Sequence, residues 1–449
     1  MKRKFYFIPL ATFAVILACV LVYENYNKKK VPYQPLLERT GAISTTSEWK
    51  NTKAAIHGLQ DQIRRKPEDL KAKLMLALAY MQEARITGEH PYYYPAALEL
   101  LEEILDKDTD DANMKYEAIV AKSSVLLSLH HFEEARETGK EALAINNKNA
   151  SIYGILCDAN VELGQYDTAV SMADKMVSIR PDIRSYARVS YLREIYGDMP
   201  GAIEAMKLAV SAGYPGLEQT AWTRITLGHL YEKIGDLPNA EVQYKTAIAE
   251  YPNYAFGIAG LGRLEVKKKN YAEAVKLFQK AGEIIPEFSF QENLAELYQT
   301  TGEKNKAADA TKKLLSMLEE DAEAGHYVDL EMANIYIEIV KDYNKALEYA
   351  NNEYKKRPDN IDVCKTLAHI YYRKNEIEKA SDFLKIATRT HRKDPGLLCL
   401  TGLIEVKTGK KEEGTQLIRK SFEMDPYQDG DLTSEARKIA KPTLAEKRM

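Results

Sequence analysis

The chain has 449 residues, of which 45% are hydrophobic and 29% are charged, and its formal net charge is −3. Residues 1–30 hold six basic and one acidic side chain, so subtracting that +5 leaves about −8 on the other 419 residues. This charge excludes the basic footprint of a nucleic-acid-binding protein, and four cysteines are too few for a small disulfide-rich framework.

The first predicted element is an apolar segment within residues 1–30. A basic start, Lys2–Lys4, precedes nineteen mostly apolar residues, Phe5–Tyr23, and the basic run Lys28–Lys30 ends the segment. As an α-helix this stretch would be roughly 28 Å long, close to the hydrocarbon thickness of a bilayer. We predict a signal or transmembrane segment that anchors the chain, with the rest of the protein on the non-cytoplasmic (periplasmic or surface) side.

Three interpretations of this segment stay open: an uncleaved anchor, a lipoprotein signal acylated at Cys19, or a cleavable secretory signal. Ile16–Cys19 resembles a lipobox, but Val20–Tyr23 continues the apolar run where lipoproteins usually turn polar. The length and the basic stop favour the uncleaved anchor. Residues 31–45 would then form a linker that tethers the remaining chain.

From residue 46 to residue 426, a small residue recurs at intervals of one helical hairpin. Most steps measure 33 or 34 residues and the others 38 or 39. A period of this size predicts an array of helix–turn–helix repeats. The small residues are Ala97, Ala135, Ala169, Ala202, Ala240, Ala274, Ala307, Ala346, Ala380 and Gly414.

The stretch 221–252 shows the pattern of one repeat. Leu227, Gly228 and Tyr231 share a face of the first helix, because residues three or four apart are neighbours on a helix. Gly235 ends that helix, and the face of the second helix and its proline stop are given by Ala240, Tyr244, Ala247 and Pro252. Small residues let the two helix axes approach, and the larger ones fill the remaining space.

This arrangement resembles the tetratricopeptide repeat (TPR). The resemblance covers residues 46–426 as about ten hairpins preceded by a leading helix, and it implies an all-α, right-handed superhelical solenoid. Residues 427–449 would supply a C-terminal capping helix, over Leu432–Ile439, and a tail. The segment Arg85–Tyr94, with three consecutive tyrosines, is predicted to be a short aromatic insertion, either folded over its own hairpin or contacting a partner.

No chemistry of catalysis or metal binding stands out in the sequence. The eight histidines are scattered, and no CxxC, HExxH, GxSxG or phosphate-binding loop is present. Cys157, Cys364 and Cys399 are predicted to be free buried thiols. We therefore predict a protein that is not an enzyme, with no catalytic residue, cofactor or metal.

The TPR resemblance implies that the first helix of each hairpin lines a concave groove that binds a partner. Aromatic and arginine side chains are enriched in binding hot spots, and the implied groove contains several of them. The alternative is that Trp222 and Phe256 pack between adjacent first helices. The candidate partner-binding residues are Arg184, Tyr191, Trp222, Ile225, His229, Phe256, Arg263, Lys365, His369 and Tyr372.

Two functions follow from these features. The first is a membrane-tethered scaffold that binds a partner polypeptide in the groove, in the assembly or regulation of a cell-envelope complex. The alternative is a surface lipoprotein that binds a glycan or another small ligand, similar to TPR-containing glycan-capture proteins. The sequence gives no prediction of the oligomeric state.

Overall fold

The computed structural model describes residues 33–107 and 111–440, which are helical with no strand in these ranges. The predicted segment 1–30, with Phe5–Tyr23 and Cys19, lies outside the described residues. None of the helices in the described ranges is both long and apolar enough to cross a bilayer.

The described chain begins with a short 3-10 turn (Gly41–Thr45) and a leading helix α1 (Ser47–Arg65), which are followed by ten helical hairpins and a final helix α22 (Asp431–Ala440). The first five hairpins are α2 (Leu70–Thr87) with α3 (His90–Leu105), α4 (Ala112–Ser128) with α5 (Phe132–Ile145), α6 (Ala150–Glu162) with α7 (Tyr166–Ile179), α8 (Ile183–Ile195) with α9 (Met199–Ala212), and α10 (Glu218–Lys233) with α11 (Leu237–Glu250). The last five are α12 (Ala255–Lys267) with α13 (Tyr271–Ile284), α14 (Phe288–Thr300) with α15 (Lys304–Glu323), α16 (Asp329–Ile335) with α17 (Tyr343–Lys356), α18 (Ile361–Arg373) with α19 (Ile377–Ala387), and α20 (Pro395–Lys407) with α21 (Lys411–Met424).

The recurring alanines lie where each second helix packs on its first helix. All nine are buried, with at most 6% of their surface exposed. Gly414 takes this place in the last hairpin because α20 and α21 are closer still: a Cβ at residue 414 would lie 2.5 Å from the carbonyl oxygen of Gly402. Short side chains therefore set the spacing of the paired helices along the array.

A π-helical turn explains part of the longest step in the alanine series. Helix α16 continues into one π turn, Tyr336–Val340, before the left-handed residue Lys341 (φ 63°). The preceding helix α15 is also long, at 20 residues. Together they account for the 39-residue step that separates Ala307 from Ala346.

The segment Arg85–Tyr94 is not an insertion loop, contrary to the sequence prediction. Residues up to Thr87 complete α2, Gly88 forms a left-handed turn (φ 76°), and Tyr92, Tyr93 and Tyr94 lie in α3. Proline is compatible with the first turn of a helix, so Pro91 does not interrupt it. The two helices are simply longer than in most of the other hairpins.

These tyrosines hold the residues that precede α1. The Tyr92 hydroxyl donates to the carbonyl of Pro35 at 2.7 Å, and the Tyr93 hydroxyl accepts from the amide of Leu37 at 3.1 Å. Arg39 is buried and pairs with Glu48 and Glu83, each at 2.6 Å. Residues 33–39 therefore pack on α1 and the first hairpin, and Gly41 lies against Glu283 on α13, so the array holds the described part of the predicted linker.

Successive turns of the superhelix contact each other, which the repeat pattern did not predict. The turn inside each of the first five hairpins contacts the loop that follows the hairpin five places later. In four of them a left-handed glycine faces that loop: Gly88 faces Pro286, Gly164 faces Asp359, Gly197 faces His391, and Gly235 faces Pro426. In the second hairpin the left-handed residue is His130, and the turn 129–131 contacts residues 325–327.

Contacts between successive superhelical turns add to those between neighbouring hairpins. Arg357 pairs with Glu162 at 2.5 Å across 195 residues of sequence. Arg392 pairs across the turns with Glu194 at 3.3 Å, and with Asp362 of the hairpin that it follows at 2.9 Å. The array is thus more than a one-dimensional stack. We call the surface of the first helices that carries Tyr191, Trp222, His229, Glu292 and Glu296 the lumen.

Candidate functional site

The ten candidate groove residues divide into exposed, partly buried and buried groups. Arg184, Tyr191 and Trp222 are exposed, and His229, Phe256, Arg263 and Lys365 are partly buried. Ile225, His369 and Tyr372 are buried. The sequence pattern placed all of them on one surface, whereas the structure leaves only the first two groups accessible.

Trp222 and Phe256 occupy equivalent places in adjacent repeats but have different surroundings. The Phe256 ring packs 5.4 Å from Phe290 on the next first helix and 5.6 Å from Tyr254. Trp222 remains 45% exposed. It lies seven residues before His229, and therefore on the same helix face. Packing between helices accounts for Phe256, and Trp222 is left available on the concave side.

Ile225 and Tyr372 are covered by the protein itself. Ile225 is 4% exposed and belongs to the core formed by the fourth and fifth hairpins. The Tyr372 hydroxyl donates to Glu435 on α22 at 2.6 Å. Neither side chain is free to contact a partner, because neighbouring repeats and the C-terminal helix already cover them.

His229 and Arg263 belong to a network within the protein. Arg263 donates to Glu232 at 3.3 Å and to the Tyr244 hydroxyl at 3.2 Å, and its other contact is the His229 ring nitrogen. The Tyr244 hydroxyl donates to Glu232 at 2.7 Å. Burial, reinforced by the Arg263 charge, holds the pKa of His229 well below its usual value. His229 is therefore neutral.

Tyr191 shows how closely opposite parts of the superhelix approach the lumen. The side chain is 38% exposed. Burial, followed by the charges of Glu162 on α6 and Asp362 on α18, raises its pKa well above the usual value. Charged groups in the third and the ninth hairpins therefore act on one lumen residue in the fourth.

Lys365 and His369 also have partners in the chain. Lys365 pairs with Asp394 at 3.1 Å, and the carboxylate of Glu338 lies 3.3 Å from His369 Nδ1. Burial and the nearby Arg373 lower the pKa of His369 to about 3. His369 is therefore uncharged at neutral pH, and this contact is not an ion pair.

Four glutamates line the lumen and were missed by sequence reasoning. Glu292 and Glu296 lie one turn apart on α14, and Glu331 and Glu338 lie on α16 and its π turn. We call these four residues the acidic cluster. Among the described residues, neither Glu292 nor Glu296 makes an ion pair or a side-chain hydrogen bond. The repeat pattern could have identified this pair, because Glu292 and Glu296 occupy the positions that Ile225 and His229 occupy two repeats earlier.

Neighbouring carboxylates raise the pKa values of Glu292, which is half-buried, and of Glu296, which is exposed. Burial, and then the charges of Glu296, Glu331 and Glu338, raises the pKa of Glu292 to about 8. Burial and Glu338 raise the pKa of Glu296 to about 7. Glu331 Oε2 is buried without a hydrogen-bond partner, and burial raises the pKa of this side chain to about 7. The charges that shift the pKa of Glu292 are all carboxylates, whereas Lys341 partly offsets the shift of Glu296.

The described residues contain no group of three or more histidine, cysteine or acidic side chains arranged to hold a metal. Cys157, Cys364 and Cys399 are free and buried, as predicted, and burial raises the pKa of each thiol. Arg184 borders an open surface cavity of about 410 Å³, away from the acidic cluster.

Comparisons with known proteins identify the repeats. Tetratricopeptide-repeat family models match residues 225–287 and 340–398. No curated protein matches the chain.

Several solved structures are similar to parts of this chain. A thermophilic TPR protein from Thermus thermophilus is 23% identical, with 46% of this chain and 99% of that chain covered (TM-score 0.37). PilW, a type IV pilus biogenesis factor, is 15% identical, with 46% of this chain and 94% of that chain covered (TM-score 0.38). The APC/C hetero-tetramer Cut9–Hcn1 is 12% identical, with 88% of this chain and 94% of that chain covered (TM-score 0.37). Similarities this loose carry no functional argument, but the matched segments and the helical hairpins establish that this chain contains tetratricopeptide repeats.

Proposed function

We propose that the protein is a non-catalytic scaffold that binds an extended segment of a partner polypeptide in its lumen. The observation that carries this proposal is the uneven pairing of charge. Asp158, Glu194 and Glu232 pair with Arg188, Lys233 and Arg263, whereas Glu292 and Glu296 have no partner among the described residues. Two adjacent carboxyl groups that hold their protons up to about pH 7 and 8 for want of a cation offer a place for a basic ligand, which would pair with them as they ionise.

The chemistry of the lumen favours a partner segment with basic and apolar side chains. Lysine or arginine would pair with the acidic cluster, and the exposed ring of Trp222 offers an apolar contact about two repeats away. Acidic or phosphate-bearing ligands would meet the same carboxylates and be repelled. Exposed aromatic side chains are typical anchors of protein interfaces.

A crosslinking pull-down with the full-length protein tests this function. The variant Glu292→Gln/Glu296→Gln removes the two unpaired ionisable carboxyl groups with little change of shape. The matched control is Glu319→Gln/Glu323→Gln. It changes two exposed glutamates with the same spacing on α15, the second helix of the same hairpin. We expect the first variant to lose partners that the wild type and the control retain. Equal recovery in all three would reject the lumen as the binding surface.

Membrane tethering is part of the proposal and rests on the sequence of residues 1–30. Phe5–Tyr23 would anchor the chain, with the repeats on the non-cytoplasmic side, where the scaffold would help to assemble or regulate a cell-envelope complex. Extraction with alkaline carbonate tests the anchor, because an integral segment stays with the membrane. Fatty-acid labelling that is lost in Cys19→Ser would instead support the lipoprotein, the form in which a glycan-binding role was predicted.

A further inference from the structure

The contact between the second hairpin and the superhelical turn above it differs from the other four. Its residues are Leu129–His131 in the turn between α4 and α5, and Gly325–Tyr327 in the loop between α15 and α16. We call this pair of segments the histidine contact. The amide of Tyr327 donates to the carbonyl of Leu129 at 3.0 Å.

Two histidines complete the hydrogen bonding of this contact. His130 Nδ1 donates to the carbonyl of Tyr327 at 2.9 Å, and His131 Nε2 donates to the carbonyl of Gly325 at 2.7 Å. The His131 ring also stacks on Tyr327, with ring centroids 4.0 Å apart. Since carbonyl oxygens only accept, Nδ1 of His130 and Nε2 of His131 must each carry a hydrogen.

A third histidine, His326, makes the contact sensitive to charge. Its ring lies 4.3 Å from that of His130, and both of its nitrogens are buried without a hydrogen-bond partner. A proton on His326 would find no acceptor in the closed contact. If His130 were also charged, two cations would be adjacent in a space with little water.

Backbone geometry does not explain the histidine in this turn. His130 has φ 61°, and glycine occupies the corresponding left-handed position in the other four contacts. Glycine adopts this conformation at no steric cost, whereas other residues are strained by it. A titratable side chain is therefore present where the turn itself requires none.

Groups on every neighbouring element face these rings. Glu331 lies 3.8 Å from His130, Glu134 lies 3.6 Å from His131, and the Lys356 ammonium lies 3.8 Å from the centre of the Tyr327 ring. The other titratable groups that act on His130 and His326 are His90 on α3, Glu162 on α6, and Glu353 and Arg357 on α17. Asp329 on α16 pairs with Lys356, and the acidic side chains Glu89, Glu320 and Asp321 lie on the flanking elements.

We propose that protonation of the histidine contact separates these two superhelical turns and so controls access of the partner to the lumen. This inference rests on the proposed function, because it regulates the same binding surface. The contact is closed at neutral pH and opens in mild acid.

The pKa directions agree with this sign. Burial, and then the neighbouring histidines, lowers the pKa of His326 to about 3, and burial lowers the pKa of His130. A histidine whose pKa is depressed stabilises the closed form above its ordinary pKa, and this stability is lost as the pH falls from about 6.5 towards 3. For His326 alone the shift corresponds to about a 30-fold change in the closed-to-open ratio between pH 7.5 and 5.0.

Hydrogen exchange of the full-length protein in detergent tests the proposal, with protection corrected for the intrinsic effect of pH. The reporter is the Tyr327 amide, which is bonded across the contact. The internal control is the Ile361 amide, which is bonded to the Tyr166 hydroxyl across the next contact, where the turn residue is glycine. We expect protection of Tyr327 to fall at least tenfold more than that of Ile361 between pH 7.5 and 5.0.

Two variants keep the test decisive. His326→Gln removes the unpartnered ring, and His130→Gly supplies the residue that the other turns use, so both should fold. Each should reduce the extra loss of protection at Tyr327. Parallel loss at both amides, or an unchanged response in both variants, would overturn the proposal.

Partner recovery at the two pH values separates this inference from the proposed function. Opening of the contact in acid without any recovered partner would reject the scaffold alone. Recovery of a partner without opening would reject the pH control alone.

Discussion

Gly164 lies directly against the backbone of Asp359, although the two are 195 positions apart in the sequence. A Cβ at residue 164 would overlap the Asp359 carbonyl group and would lie 2.8 Å from the next amide nitrogen. Arg389 donates to the carbonyl oxygens of both residues, at 2.6 Å and 2.7 Å. The turn of the third hairpin therefore fits its loop only as glycine.

Gly164→Ala should weaken the closed superhelix more than an ordinary turn mutation does. Strain at φ 77° costs about 1 kcal/mol or more, and the clash with backbone adds to that cost. The control is Gly302→Ala, which has φ 76° but no atom within 4 Å of the new Cβ. Urea denaturation should show a loss of stability at least about twice as large for residue 164. Equal losses would mean that the contact contributes nothing.

Gly228→Ala should disturb the packing inside the fifth hairpin. The new methyl group would overlap the Tyr244 ring, with one ring atom only 2.8 Å away, and overpacking of this kind costs about 1–3 kcal/mol. Gly282→Ala on α13 meets nothing within 4 Å and should stabilise the helix by up to about 1 kcal/mol. Thermal melting compares the two, and a melting temperature unchanged by Gly228→Ala would contradict the helix register.

Glu292→Gln should stabilise the protein at alkaline pH. Because the folded pKa of Glu292, about 8, is above the ordinary value, the wild type is penalised increasingly as the pH rises from about 4.5 to 8. The variant has no carboxyl group to ionise, so its free energy of unfolding should exceed that of the wild type by roughly 2–4 kcal/mol at pH 9. The difference should vanish near pH 4. Urea titrations at the two pH values measure it. An advantage independent of pH would show that Glu292 is not perturbed.

Binding of a basic partner should release protons near pH 7. A lysine or arginine beside the acidic cluster would return the pKa values of Glu292, Glu296 and Glu331 towards their usual range, and the carboxylates would ionise. Calorimetry in buffers of different ionisation enthalpy counts these protons. Glu292→Gln/Glu296→Gln should reduce the number released, and binding without release would exclude a cationic segment at this cluster.

Local contacts explain what could be predicted from the sequence. Ala240 and Gly228 occupy their places because the two helices of one hairpin meet there, and the spacing of those residues is visible in the chain. The exposure of candidate groove residues was less predictable. Ile225 and Tyr372 follow the same pattern as accessible residues, but adjacent repeats and α22 cover them.

The sequence by itself determined the helical hairpins, their number and the small residues that pair them, because those features depend on contacts within about 34 residues. Tertiary structure alone decided that Gly164 meets Asp359, that His130 meets Tyr327, and that Glu292 and Glu296 are left unpaired within a lumen. The physical reason is cumulative rotation: each hairpin is rotated relative to the one before it, and over five hairpins these rotations bring distant segments together.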